Sequence, residues 1–253
     1  MEITVCAEAY VARGVQRNAS TMLSACEAEE LLNHFPSVEF AFAYGSGAIK
    51  QGGYEKFSDT TDNSRKSDAP PMLDLIFAVE NSTTWHQHNM LRNPSHYTSI
   101  IPLTHPWVAY VQDEIPANFW FNAYISIPMK GQQESPSHTP PHTTPVRMIK
   151  YGVVTKDNLV KDLTKWTQLY AAGRLHKPVH VLKDNAEVRS AMAINKEQAI
   201  NTSILLLPET FCELDLYLSI ASLSYVGDPR MIIGENPKKV CIVCLIVYSV
   251  YSV

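Results

Sequence analysis

The chain has no cysteine framework. Its five cysteines (Cys6, Cys26, Cys212, Cys241 and Cys244) are odd in number and irregularly spaced, which argues against a disulfide-stapled secreted fold. Cys241 and Cys244 form a lone C-x-x-C with no second pair, so the spacing does not describe a structural zinc site. No apolar run reaches the ~20 residues of a membrane-spanning helix. The longest, Val240–Val253, has 14 residues, two of them serine. A basic excess is missing too: the formal net charge is −4, which weighs against a general nucleic-acid binder. Glu2 and Glu8 beside Arg13 and Arg17 make the first residues a poor match to an acid-free mitochondrial presequence.

What is present is a globular composition, 45% hydrophobic and 18% charged, on a chain long enough for one large or two modest domains. The charge is segregated. Residues 1–40 carry six acids against two arginines, a local −4. Arg147 to Lys183 carries eight basic residues (Arg147, Lys150, Lys156, Lys161, Lys165, Arg174, Lys177, Lys183) against Asp157 and Asp162, a local +6. A basic segment in an acidic protein suits a small polyanionic ligand, and equally a solvated helix face.

Hydrophobic patterning predicts strands at Val38–Tyr44, Met72–Val79, Phe119–Ile127 and Arg147–Val154, with a short one in Pro178–Leu182. Helices are predicted at Met22–Asn33, at Thr83–Arg92 with Ser82 or Thr83 as N-cap, and from Asp157 to near Gly173 on the face Leu159, Leu163, Trp166, Tyr170. Two more follow at Asn185–Leu207 and Glu209–Ser222. Residues 50–71 read as an exposed loop, and Gly131–Pro145, with four prolines, as a disordered insertion whose His138 and His142 are not expected to bind metal. Strands in the first half and helices in the second imply an α+β fold. His86 and His88 fall on different helix faces, and Trp85, Trp107, Trp120 and Trp166 read as core or domain-contact residues.

The chemically informative pair is the strand ending in Gly45-Ser46-Gly47 and the next strand, which sets Asp74 among apolar residues. A Gly-Ser-Gly stretch can be simply a turn, but it also allows close backbone approach to phosphates and can form an anion-binding concavity. A carboxylate in an apolar strand is costly unless it is paired or holds a metal. This order resembles the polymerase-β-like nucleotidyltransferases, where the turn binds the triphosphate and the acid holds the metal. That superfamily usually carries a second acid two residues on, where this chain has Ile76; Asp59, Asp62 and Asp68 in the intervening loop are alternative sources.

A closer resemblance runs from about His34 to Lys239. "HFP", "FAYGSG", "MLDLIFAV", "WHQHN", "SHY", "IKYGVV", "LYAAGRLHKPV", "LLLPETF" and "LSYVGDPRMIIGE" occur in the order of the mitochondrial CDP-diacylglycerol synthases of the translocator assembly and maintenance family. The resemblance implies a nucleotidyltransferase domain over residues 34–155, after an N-terminal segment 1–33, and a winged-helix-like helical domain over 156–239. It implies transfer of CMP from CTP to phosphatidic acid with Mg²⁺, peripherally at the matrix face of the inner mitochondrial membrane, for cardiolipin synthesis and without nucleic acid. Other expectations are a nucleotidyltransferase with a different acceptor, or a non-catalytic assembly factor for the import machinery. By position, Gly45, Ser46 and Gly47 would contact the triphosphate and Asp74 the metal. Lys150, Arg174, Lys177 and Arg230 would face phosphates on chemical grounds; Asp228 suits a turn before Pro229 better than catalysis. Family members continue beyond Lys239, and the apolar tail 240–253 is expected to mark a truncated or alternatively spliced product.

Overall fold

The computed structural model describes residues 23–49, 71–97, 103–114, 117–129 and 146–225. Asp59, Asp62, Asp68, the Gly131–Pro145 insertion with His138 and His142, the residues Asp228 and Arg230, and the Val240–Val253 tail with its C-x-x-C lie outside the described residues. The architecture is α+β, a five-stranded mixed sheet with helices on both faces.

In chain order the elements are α1 (Ala25–Leu32), β1 (Phe40–Tyr44), β2 (Leu73–Val79), α2 (Ser82–Arg92), a 3₁₀ turn (Pro94–Tyr97), α3 (His105–Glu114), β3 (Trp120–Pro128) and β4 (Val146–Thr155). They continue with α4 (Lys156–Lys165), α5 (Tyr170–Leu175), β5 (His180–Lys183), α6 (Ala186–Leu206) and α7 (Glu213–Ser222). The strand order is β3-β4-β2-β1-β5; β2 and β4 run parallel and every other pair is antiparallel. β1 and β2 are near-continuously apolar because both faces of the central strands are covered. The edge strand β5 comes from beyond Thr155, so the sheet draws on the later, helix-rich part of the chain.

Strand alternation sorts the side chains into two cores. Ala41, Ala43, Leu73, Leu75, Phe77, Tyr151 and Val153 pack with Leu31 of α1 and Trp85 of α2. Phe40, Phe42, Ile76, Ala78 and Val154 face the other way, against Leu159 and Leu163 of α4, Ala171 and Leu175 of α5, and Val188 of α6. A third cluster, with Ala199, Tyr217 and Ile220, joins α6 to α7.

Behind β4 lies a buried polar network. The Tyr151 hydroxyl accepts from Asn89 Nδ2 (2.9 Å) and Asn122 Nδ2 (2.7 Å) and contacts His96 Nδ1 (3.0 Å). Asn89 also donates to Tyr97 (2.9 Å), whose hydroxyl meets His86 Nδ1 (2.8 Å), while His86 Nε2 meets Gln112 Oε1 (2.8 Å). Burial pushes His86 and His96 down to about 4 and Tyr97 up to about 12, so these rings and the phenol stay neutral near pH 7. His86 is thus buried while His88 is exposed, as their spacing requires.

Several expectations need correction. Asn81, not Ser82 or Thr83, caps α2, its side chain accepting from Thr84 N–H at 2.9 Å. The single helix expected from Asp157 to Gly173 is two, because Trp166 (φ 52°) and Leu169 (φ 54°) adopt left-handed conformations that end one helix and precede the next. Trp85 is a core residue, whereas Trp107 is 52% exposed and lies edge-on to Trp120. Helix α3 had no counterpart in the sequence reading.

Candidate active site

β1 delivers its chain to the site through Gly45, whose φ of +76° is a left-handed turn that glycine adopts freely. The Gly45 carbonyl accepts from Ala48 N–H (3.1 Å) and Ile49 N–H (3.0 Å), so the turn's own bonds do not use the N–H groups of Ser46 and Gly47. Gly47 is pressed on the start of β2: a Cβ there would lie 2.2 Å from the Met72 carbonyl oxygen. From β4, the buried Arg147 donates to the Gly47 carbonyl (3.0 Å) and fixes the turn from the other side. Ser46 is left exposed at the tip.

The sheet register sets the charges. Asp74 pairs with Tyr44 across the antiparallel β1–β2 ladder and with Lys150 across the parallel β2–β4 ladder. A Cβ on Gly45 would stand 3.4 Å from Asp74 Oδ2, so the carboxylate abuts the turn. Burial pushes the Asp74 carboxyl above the usual carboxylate range, opposed by the charges of Lys150 and then Arg174. Among the described residues Asp74 forms no ion pair or hydrogen bond with either cation.

Arg174 enters from α5 with its guanidinium between two rings, 4.8 Å from the Tyr44 centroid and 4.5 Å from that of Tyr170. It donates to the Tyr170 hydroxyl at 2.7 Å, and its Nε is buried with no partner among the described residues. Burial pushes Tyr44 up to about 12, with Arg174 pulling the other way, so the phenol beside Asp74 stays neutral. Lys150 Nζ sits 5.0 Å from the Phe121 centroid, and Phe121 stacks on Phe119, which contacts Tyr170. An aromatic wall therefore supports both cations without consuming their charge in a carboxylate pair.

The sequence-predicted residues Gly45, Ser46, Gly47, Asp74, Lys150 and Arg174 are gathered at this end of the sheet. Lys177 is placed with its ammonium 3.7 Å from the Tyr225 ring, and it is not among the charges that act on Asp74. Lys150 and Gly152 share a face, as alternation predicts, and a Cβ on Gly152 would strike Phe121 and Ile76. Ile76 is fully buried, so the position two after Asp74 is filled by core packing. Among the described residues no group of three or more His, Cys, Asp or Glu gathers as a ready-made metal cage.

Sequence analysis assigns no site role to Tyr44, Phe121 and Tyr170, and counts Arg147 only within the basic segment. Tyr44 carried a signal, since it immediately precedes the turn and shares the Phe42 face. The others are brought in by register and by the α4–α5 break, which no local pattern specifies.

The family described as "Phosphatidate cytidylyltransferase, mitochondrial" matches residues 28–247, beginning before His34 and running past Lys239 into the apolar tail. A Xenopus laevis protein of that name is 41% identical over 83% of this chain and 55% of its own length. For the Dictyostelium discoideum protein so named the figures are 41%, 83% and 47%, and for the human one 37%, 83% and 41%. The chain thus spans about half the length of the curated relatives it matches. With the family match covering most of the chain, it belongs to the mitochondrial phosphatidate cytidylyltransferase family.

Proposed function

We propose that this chain carries the nucleotidyltransferase centre of a phosphatidate cytidylyltransferase, CTP + phosphatidate → CDP-diacylglycerol + diphosphate. The observation that carries the reading is the placement of Asp74 against the Gly45–Gly47 turn, flanked by Lys150 and Arg174 but bonded to neither. The order of β1, the Gly-Ser-Gly turn and the acid on β2 supports a polymerase-β-like domain, to whose sheet β5 and the helices α4–α6 also belong. A winged-helix-like character for the helix-rich part after Thr155 is what the family resemblance implies.

In this reading the Ser46 and Gly47 N–H groups and the Ser46 hydroxyl receive phosphate oxygens of CTP, while Lys150 and Arg174 hold the remaining charge. Phosphatidate is a phosphate monoester whose second pKa is about 6, so it is largely dianionic near neutrality and needs little base assistance. One of its oxygens bonds to the α-phosphorus of CTP as the bond from that phosphorus to the β-phosphate bridging oxygen breaks, and diphosphate leaves with the electron pair. Holding two polyanions in line and neutralising the leaving charge are then the protein's main tasks.

The donor set fits Mg²⁺, which is commonly bound by one or two carboxylates together with substrate phosphates. Asp74 would hold it, and the ion when bound supplies charge neutralisation on the triphosphate. A half-buried carboxylate without a bonded partner among the described residues suits that role. The relatives' names place them in mitochondria. Among the described residues no helix is long and apolar enough to cross a membrane. The lipid substrate calls for docking at a membrane surface, and the matrix face of the inner membrane is the location the family resemblance implies.

The test is diphosphate release from CTP with Mg²⁺ and phosphatidate-containing liposomes, against phosphatidylcholine liposomes and glycerol 3-phosphate. Phosphatidate-dependent release is expected. A folded chain that binds neither CTP nor triphosphate in calorimetry refutes the assignment of this site.

A further inference from the structure

Arg174 sits on a helix of only six residues, flanked by a left-handed residue, so its position has to be imposed from outside. Asp162 imposes it. This side chain lies on α4, is 5% exposed, and turns all its acceptor capacity on the backbone of the next segment. Oδ1 accepts from the N–H groups of Gln168 and Leu169 (both 2.8 Å), and Oδ2 from those of Ala171 (2.9 Å) and Ala172 (3.1 Å). The four bonds tie down the left-handed Leu169 and the N-terminal turn of α5, which would otherwise have orphan donors.

Asn195 of α6 holds the other side. It donates to the Ala172 carbonyl (3.0 Å), and its Oδ1 meets Trp166 Nε1 (2.7 Å) and His176 Nε2 (3.1 Å). Both ends of α5 are therefore fixed by buried side chains with no contact to Asp74. Tyr170 and Arg174, one turn apart on that helix, are joined by their own hydrogen bond.

We propose that Asp162, assisted by Asn195, is a positioning residue for phosphate binding, acting through α5 to hold the Arg174 guanidinium between Tyr44 and Tyr170 beside Asp74. The proposal rests on the reading of Arg174 as a phosphate-binding cation. A carboxylate suits the task because it can accept four N–H bonds, whereas an amide presents a donor to two of them. Preorganising the arginine spares the ordering of a long side chain when the ligand arrives.

The test is a double-mutant cycle on binding of inorganic triphosphate with Mg²⁺, measured by calorimetry on Asp162→Asn, Arg174→Ala and the double variant, with thermal melts alongside. Asp162→Asn is expected to weaken binding about tenfold, and to add almost nothing once Arg174 is gone. A purely structural role would lower the melting midpoint equally in both backgrounds and leave the binding effects additive. Additive effects, or wild-type binding by a folded Asp162→Asn protein, overturn the proposal. Wild-type binding by Arg174→Ala removes Arg174 from the phosphate site and the proposal with it; loss there with additivity overturns only Asp162. Should Asp162→Asn not fold, Asn195→Ser is put through the same cycle, with the same outcomes decisive.

Discussion

The two glycines of the turn should respond differently to an added methyl, and the difference can be worked from the structure. Gly45 is left-handed, which costs an L-residue about 1–2 kcal/mol. Its new Cβ would meet Asp74 Oδ2 at 3.4 Å, an ordinary contact that adds no clash. Restricting the unfolded chain returns about 0.4–1 kcal/mol, so Gly45→Ala should cost about 1 kcal/mol. Gly47 has no such backbone strain, but its Cβ would lie 2.2 Å from the Met72 carbonyl oxygen and 3.1 Å from Leu73 Cα. Relief requires moving either the turn or the start of β2, and overpacking of that kind costs about 1–3 kcal/mol or more. Because Met72 and Leu73 lead directly to Asp74, the movement should also misplace the carboxylate. Urea unfolding should rank Gly47→Ala below Gly45→Ala, and calorimetry with Mg²⁺–triphosphate should show the larger affinity loss in Gly47→Ala. If Gly47→Ala is as stable as Gly45→Ala and binds as well as the wild type, the turn does not seat against β2 as described.

Asp74→Asn should abolish Mg²⁺-dependent diphosphate release while leaving the melting midpoint unchanged or slightly raised, because the carboxyl is held above its usual range and its charge is unfavourable in the fold; a clear loss of stability would mean the charge has a structural partner. In the metal-free protein the Asp74 carboxyl, followed by NMR titration, should titrate above the ordinary carboxylate range, and Arg174→Leu should move it higher still by removing one of the two cations that oppose the shift. An unmoved Asp74 titration in that variant would detach Arg174 from Asp74. His86 and His176 are both pushed by burial from 6.5 to about 4. Their contribution to stability is present above 6.5 and is lost as pH falls towards 4, about 2 kcal/mol each by pH 5. Urea midpoints at pH 7.5 and 5.0 should show the loss, and His176→Gln should remove its share; an unchanged pH dependence in that variant would contradict the burial of a neutral ring.

The strands were legible because their signals are local. "FAFAY" and "LDLIFAV" are near-continuous apolar runs, and such runs belong to strands covered on both faces. Asp74 stood out in the second run for the same reason, and Gly45 because a turn had to end the first. The break between α4 and α5 was not legible. Leu159, Leu163, Trp166 and Tyr170 keep helical spacing straight through it, and the interruption is imposed by Asp162 capturing four N–H groups of the following segment. Periodicity reports which side chains are apolar, and it is silent on a buried carboxylate that competes for backbone donors. Tyr170 therefore looked like the end of a helix stripe when it is the start of a new helix and part of the site. The polar network behind Tyr151 was hidden likewise, since its members come from α2, α3, β3, β4 and the 3₁₀ turn.

The way the site's charges are held bears on the chemistry proposed for it. Had Asp74 formed a close ion pair with Arg174 or Lys150, an incoming triphosphate would have to break a partly buried pair before gaining anything, a loss of several kcal/mol. Instead the cations rest on aromatic rings, Arg174 between Tyr44 and Tyr170 and Lys150 near Phe121. Such contacts contribute about 0.5–2 kcal/mol each and leave N–H donors available. The rings hold the cations near the carboxylate without bonding them to it, and burial makes its charge costly despite them. That arrangement favours binding a metal–triphosphate complex over binding either component alone. In the proposed reading the metal would satisfy Asp74 and the phosphates would satisfy Arg174 and Lys150. Free triphosphate should accordingly bind more weakly than its Mg²⁺ complex in the wild type, and the gap should narrow in Asp74→Asn.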